Sequence, residues 1–470
     1  MKDISRRKVL KEIGLISLGM TMLNKGALSG NKGESFSIKD INRTNNSDID
    51  FDRPVTAIVL GAGERGNVYA GYAVKNPNEL NIVGVAEPIP YRINKFSKQH
   101  QIPKEKQFVT WEHVFEQEKF ADAVIISTPD KLHYGAAMKA LEMGYDLLLE
   151  KPIAQSWKEC NDILQQQKKF NNIVAVCHVL RYAPYFLKMK EVIDSGKIGE
   201  VINVQHLEPV SFDHIAHSYV RGPWKNEKES TPMLLAKSCH DIDIIKWILN
   251  KKCERVSSFG SLKWFKPQNA PKGCTKRCTD GCAVEAACPY SAIKIYARDK
   301  GWHLRYLDVK ERSFEHIVEK LKTSPYGLCV YHAGNDVVDH QVVNMQFEED
   351  ITVGFTMAFA GYAGRRTRVM GSMGDIVGDM TNLHVFNYNT KKRETWNTDD
   401  IDIDDGAFAD HGHGGGDIRL ARDFVRAVKL QDPKQLTSTI DASMESHLIG
   451  YMAEKSRKEG GKMYTINMKA

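Results

Sequence analysis

No apolar stretch in these 470 residues reaches the roughly 18–20 that a membrane span needs, so the chain is read without a membrane-crossing segment. Charge of one sign is also scarce. The 65 Lys and Arg stand against 59 Asp and Glu, a surplus of only +6, and no long basic run concentrates it. That leaves no electrostatic footing for nucleic acid as a partner. What remains is a chain with 42% hydrophobic residues, too long for one ordinary core and long enough for two. A soluble enzyme or binding protein fits that description.

Residues 1–30 stand apart. Ser5-Arg6-Arg7-Lys8-Val9-Leu10-Lys11 precedes a weakly apolar stretch from Ile13 to Leu23, as in a twin-arginine export signal. The other reading is an ordinary amphipathic N-terminal helix. No Cys follows the apolar run, which argues against a lipoprotein anchor. The twin-arginine route carries folded proteins to the periplasm, so a cytoplasmic nucleotide could travel inside this one. Residues 31–52 are polar and read as a linker.

Val55 to Leu60 is a β-branched, continuously apolar run, as expected of a strand buried on both faces of a parallel sheet. The loop Gly61-Ala62-Gly63-Glu64-Arg65-Gly66 follows at once, and a helix is predicted over 67–75. In that setting Gly61 permits the tight turn, Gly63 the approach of a pyrophosphate, and Gly66 close helix–strand packing, with helix amides meeting the anion. A second strand, Asn81 to Ala86, ends at Glu87, about 20 residues on, where a carboxylate would bind the adenosine ribose and repel a 2′-phosphate. NAD is therefore preferred to NADP, although Arg92 keeps NADP open. The alternation continues through Ala121–Ile126, a helix from His133 to Gly144, and Asp146–Glu150. A doubly wound sheet follows, and it places Ser127, Thr128, Pro129, His133, Glu150 and Lys151 at the nicotinamide end.

With Glu150-Lys151-Pro152, the Ser-Thr-Pro-Asp-x-x-His loop and the glycine loop together, the sequence resembles the Gfo/Idh/MocA oxidoreductase family (glucose–fructose oxidoreductase, inositol dehydrogenase). Asp194 to Val201 and Ser238-Cys239-His240-Asp241-Ile242-Asp243 extend the match. The resemblance covers residues 54–260 closely and the remainder loosely. It implies an N-terminal doubly wound Rossmann domain, 53–175, and a C-terminal α+β domain, 176–470, with an open, largely antiparallel sheet that assembles as a homo-oligomer. It also implies that Lys151 touches nicotinamide ribose and substrate, and that His240 is the acid/base. The chemistry is coherent on its own terms. Imidazole titrates near neutrality, and a nearby ammonium favours a developing alkoxide. Asp243 could orient the imidazole or a sugar hydroxyl. The family commonly has an Asp one turn before the histidine; here that position is Ala236, followed by Lys237, a candidate second substrate-facing cation. Arg181-Tyr182-Ala183-Pro184 resembles the family's substrate-facing turn, or else starts a helix with Tyr185 and Phe186 packing inward.

Residues 266–290 read as a Cys-rich insertion. Cys274, Cys278, Cys282 and Cys288 have the spacing C-x3-C-x3-C-x5-C, suited to structural zinc or to disulfides, with an iron–sulfur cluster third. The other cysteines, Cys329 among them, read as core residues. Further on, alternation over 336–360 and 367–395 predicts long antiparallel strands. His411-Gly412-His413-Gly414-Gly415-Gly416-Asp417 opens a helix to Lys429, with His413 the stronger pocket candidate and Asp417 a helix-start acid.

The leading expectation is an NAD-dependent oxidoreductase taking hydride from a carbohydrate or polyol hydroxyl. The alternative is an NAD-dependent glycoside hydrolase that oxidises, eliminates and re-reduces with no net redox change. Such relatives share an export signal and a Gly-Glu-Arg-Gly loop but replace the lysine found here at Lys151. A non-catalytic Rossmann scaffold is the third possibility, opposed by Lys151 and His240 together.

Overall fold

A computed structural model describes residues 49–361, 364–398 and 413–468. The export-signal segment, most of the linker, and His411 lie outside the described residues. No helix among the described residues is long and apolar enough to cross a membrane.

The first sheet has six parallel strands: β1 (Val55–Leu60), β2 (Leu80–Ala86), β3 (Gln107–Phe108), β4 (Ala123–Ile126), β5 (Asp146–Leu149) and β6 (Val174–Val176). Their order is β3-β2-β1-β4-β5-β6, the dinucleotide-binding arrangement. The interior strands β4 and β5 are buried at every position, which is why their apolar runs do not alternate. Separate apolar clusters cover the two faces. One of them draws Ile418, Leu420, Phe424 and Val425 from helix Gly416–Leu430, near the far end of the chain. The chain thus folds back onto its first unit, and β6 runs across the expected boundary at 175.

The second sheet has nine strands in the order β14-β13-β12-β11-β7-β10-β9-β8-β15, joined antiparallel except for the parallel pair β7 (Val201–Ser211) and β10 (Thr352–Ala360). β8 is Cys253–Ser261, β9 His340–Phe347, β11 Arg366–Gly371, β12 Gly374–Gly378, β13 Asn382–Asn387, β14 Arg393–Asn397 and β15 Tyr464–Thr465. One face buries a large core with helices Pro184–Asp194, Cys239–Leu249 and Ile440–Lys458. The other leaves Phe259 and Val342, direct partners across β8 and β9, 58% and 38% exposed.

The insertion is larger than its cysteines suggest. All of 262–339, between β8 and β9, lies outside the sheets and builds its own small core from Ile295, Tyr296, Leu304, Leu307, Ile317 and Leu321. Two irregular turns and helix Phe314–Thr323 supply these side chains.

Candidate functional site

The glycine loop is shaped by two contacts and left open at a third. A Cβ on Gly66 would lie 2.1 Å from the Gly61 carbonyl oxygen. One on Gly61, at φ +92°, would lie 2.6 Å from the Ser127 carbonyl oxygen. On Gly63 it would meet only Arg92 Nη1, at 3.6 Å. Helix Glu64–Lys75 begins inside the loop, earlier than predicted, and its first turn has no side-chain cap. Uncapped amides over an open glycine, with the buried Ser127 and Thr128 hydroxyls unpartnered across the loop, fit a dinucleotide pyrophosphate.

Several residues expected to touch the cofactor also hold this frame together. Glu87 Oε2 accepts from Ala62 N at 2.9 Å and Oε1 from Ile89 N at 3.0 Å, so the carboxylate braces the loop while each oxygen keeps a lone pair for a ribose. Arg65 does not reach outward: Nε donates to Glu150 Oε1 and Nη2 to Asp417 Oδ1, both at 2.6 Å, and Nη2 also reaches Tyr69. Burial disfavours the Glu150 and Asp417 anions, yet Arg65, joined by Lys151 and Tyr69 at Glu150 and by His413 at Asp417, holds both carboxyls below their usual range. Glu64 pairs with Arg305 of the insertion at 2.6 Å, and Arg92 makes two bonds to Asp308, so the cation that had kept NADP open is already neutralised. His133 faces the carbonyls of Pro152 and Thr128 at 2.8 and 3.0 Å, tying together the loops that follow β4 and β5.

Beyond the carboxyl ends of the strands, Lys151 Nζ donates to the carbonyl of Ala236 at 2.6 Å, the position where the family's Asp would stand. His240 is buried with Nδ1 unpartnered, and burial followed by the Lys151 charge pushes its proton affinity well below the usual value. A neutral imidazole with a free nitrogen beside an ammonium is competent to accept a proton. Two imidazole–carboxylate pairs flank it. The His413 ring lies 5.4 Å away, its Nδ1 3.1 Å from Asp417 Oδ2, on a backbone with positive φ from His413 to Gly415. The His178 ring lies 6.1 Å away, its Nε2 3.5 Å from Asp243 Oδ1. Neither of these carboxylates bonds to His240 itself, whose Nδ1 stays unpartnered.

Three residues expected to face substrate are committed elsewhere. Arg181 Nε and Nη2 grip Asp243 at 2.7 and 2.6 Å, and both residues are almost wholly buried. Tyr182 Oη sits against Ser438 Oγ at 3.1 Å, and Pro184 starts a helix with Tyr185 and Phe186 in the core. Lys237 lies 3.3 Å from Glu208, which also holds Arg365 at 2.8 Å, and burial lowers its proton affinity despite that acid. Arg365 in turn binds Asp241 at 2.5 Å.

Sequence reasoning missed His178, two residues past a strand too short to show a period, and Arg365, which is buried between two acids. It also missed His214. Burial, then the charges of Lys237 and nearby histidines, pushes that imidazole well below its usual range, and its ring packs 5.1 Å from Trp302 of the insertion.

Cys274, Cys278, Cys282 and Cys288, read together from the sequence, line one small cavity that Cys329 also reaches. Every cysteine is a free thiol, and Cys274 groups with Cys329 and His332, their ligating atoms all within 4.8 Å of one another. Cys329 is buried in the core, as assigned, and also joins this cluster.

A six-stranded Rossmann unit joined to a nine-stranded open sheet, with a lysine and a histidine where the strands end, defines a two-domain dinucleotide-binding oxidoreductase architecture. Residues 55–178 match the family described as "Oxidoreductase family, NAD-binding Rossmann fold", and residues 190–465 its "C-terminal alpha/beta domain". The chain belongs to the Gfo/Idh/MocA oxidoreductase family. It is 27% identical over 266 residues to the Bacillus subtilis (strain 168) protein YteT, covering 54% of this chain and 59% of that one. It is 25% identical over 215 residues to an inositol 2-dehydrogenase/D-chiro-inositol 3-dehydrogenase of Lactiplantibacillus plantarum, covering 45% and 57%. The matches thus span less than two thirds of these relatives. Among solved structures, an inositol dehydrogenase homolog of Azotobacter vinelandii, complexed with NADH and myo-inositol, aligns with TM-score 0.61 at 16% identity. That alignment covers 88% of this chain and 98% of the other. A levoglucosan dehydrogenase complexed with NADH and L-sorbose gives 0.63 at 16% over 88% and 99%. Identities this low speak for the fold alone.

Proposed function

We propose that this protein is an NAD-dependent oxidoreductase that dehydrogenates a CH–OH group of a carbohydrate or polyol, with Lys151 and His240 as its proton-handling pair. The observation that carries this reading is the unpartnered, neutral imidazole of His240 beside the Lys151 ammonium, beyond the strand ends of a dinucleotide fold. Bound NAD+ would supply the acceptor for the hydride lost from the alcohol carbon. His240 takes the hydroxyl proton, while the Lys151 charge stabilises the oxygen as that proton leaves. The ring of Trp302 offers a half-exposed apolar face beside His214, suited to the C–H face of a sugar. NAD is preferred to NADP because Glu87 would repel a 2′-phosphate and Asp308 neutralises Arg92. The named relatives and neighbours that act on inositol or carry sugar-like ligands agree with this substrate class.

The test is anaerobic incubation of the full chain with NAD+ and a panel of polyols, sugars and glycosides. Net NADH formation is expected, and sugar release from glycosides without NADH would overturn the reading in favour of redox-neutral hydrolysis. Lys151→Ala and His240→Ala should each lower kcat by about 10²–10⁴-fold with the fold intact. Turnover at the wild-type rate in either variant removes that residue from the proposed pair.

Two further readings complete the proposal. Export by the twin-arginine route rests on Ser5–Lys11, and retention of the product in the cytoplasm of an expressing cell would sink it. A homo-oligomer rests on the exposed Phe259–Val342 pair on the open sheet face, and a monomeric mass in sedimentation at micromolar concentration would refute it.

A further inference from the structure

The inserted segment leaves the second sheet after Ser261 and returns at His340, and its two limbs are clamped where they pass each other. Cys278 N donates to the Gly327 carbonyl at 3.0 Å, Cys329 N to the Lys276 carbonyl at 2.9 Å, and Arg277 bridges Leu328. That ladder brings Cys274 from the outgoing limb against Cys329 and His332 from the returning one. Cys274 Sγ lies 3.6 Å from His332 Nε2, and the three ligating atoms fall within a sphere that one ion could fill. Cys278, Cys282 and Cys288 line a small cavity with Cys274 and Cys329. Cys278 Sγ additionally accepts from Ala292 N at 3.4 Å and lies 3.8 Å from Arg221 Nη2. Five sulfurs and an imidazole are thus gathered from both limbs, with Cys278 and Cys329 also packed at the edges of the neighbouring apolar cores.

We infer that Cys274, Cys329 and His332 form a metal-binding site that takes a zinc ion and fastens the neck of the insertion, with a thiolate from the same cavity completing the tetrahedron. The donor set argues for zinc. Two thiolates and an imidazole are soft to borderline ligands that zinc accepts in tetrahedral geometry, whereas calcium and magnesium need oxygen ligands, of which this cluster offers none. A Cys-x2-His pair on one limb and a single Cys on the other is an arrangement that only the folded neck assembles, so binding energy is spent holding the limbs together. The consequence reaches the cofactor loop. The segment fastened here carries Arg305 and Asp308, which pair with Glu64 and Arg92. This site is independent of the proposed dehydrogenase activity, and its test does not read turnover.

The full chain, purified without chelator or affinity metal and dialysed against metal-free buffer, is assayed for metals by mass spectrometry. One zinc per chain is expected. Cys329→Ser and His332→Ala should each lower it to below about one tenth per chain, whereas Cys160→Ser, at a remote buried thiol, should leave it unchanged. Should the neck variants fail to fold, cobalt(II) exchanged into the wild-type protein keeps the proposal testable. The expected spectrum has thiolate-to-cobalt charge transfer and the intense visible bands of a tetrahedral site. A zinc-free protein with a Cys274–Cys329 disulfide in its peptide map overturns the inference. So does iron with acid-labile sulfide, zinc unaffected by both variants, or a cobalt spectrum without charge transfer.

Discussion

His178 has both ring nitrogens without a hydrogen bond, buried between the His240 ring and the Asp243 carboxylate, with His447 on its other side at 5.3 Å. Burial pushes it to about 3 in spite of Asp243, so it is neutral at every pH where the protein would work. We expect it to position rather than react, packing edge-on against the His240 ring near the Asp243 carboxylate that Arg181 grips. His178→Asn should therefore lower kcat by less than His240→Ala does, leave the KM for NAD+ unchanged, and move the acid limb of the kcat–pH profile. A merely structural histidine would lower stability without moving that limb, so an unchanged profile refutes the positioning role. His240 and Lys151 were legible because they sit in local motifs. His178, His214 and Arg365 were not, since each acquires its meaning only from residues tens to hundreds of positions away.

At the scale of elements, the glycine loop divides its labour unequally. Gly66→Ala would drive a methyl into the Gly61 carbonyl, a backbone atom that cannot step aside, and should cost about 2–3 kcal/mol as overpacking does. Gly63→Ala has space in the protein and should leave stability nearly unchanged, yet it fills the approach left for the pyrophosphate and should weaken NAD binding. Chemical denaturation and nucleotide titration of both variants check this. Equal destabilisation by the two, or unchanged NAD affinity in Gly63→Ala, would contradict the assignment. The strands of this unit were readable in sequence because burial on both faces leaves nearly unbroken apolar runs, as over Val55–Leu60. The Arg-Tyr-Ala-Pro segment shows the opposite case. Its motif fits a turn and a helix start equally, and Asp243, brought alongside by another helix, decides where Arg181 goes together with the Thr437 and Ala442 carbonyls. The insertion was hidden for a third reason: short irregular turns carry no periodicity, so only its cysteines announced it.

For the whole molecule, the number of imidazoles buried in neutral form sets a limit on the acid side. Burial is the largest cause at His178, His217 and His447, and it brings them to about 3, about 2 and about 4. The first two lie in different parts of the chain, one beside the proposed active site and one stacked 4.7 Å from Tyr326 in the insertion. Unfolded, each would titrate near 6.5. Between that value and the folded ones the unfolded chain binds protons that the native protein refuses, so stability is whole above pH 6.5 and falls as the pH drops. The slope approaches about 1.4 kcal/mol per pH unit for each histidine, about 4 kcal/mol for the three together below pH 5.5. Denaturant unfolding at pH 7, 6, 5.5 and 5 measures it directly, and a free energy of unfolding constant across that range would show that these imidazoles are not buried as neutral rings. His217→Phe should flatten the slope by about one proton. It removes a ring that lies in the inserted segment's aromatic packing and outside the Lys151–His240 site, so the acid limb of catalysis should stay where it is while the acid limb of stability moves.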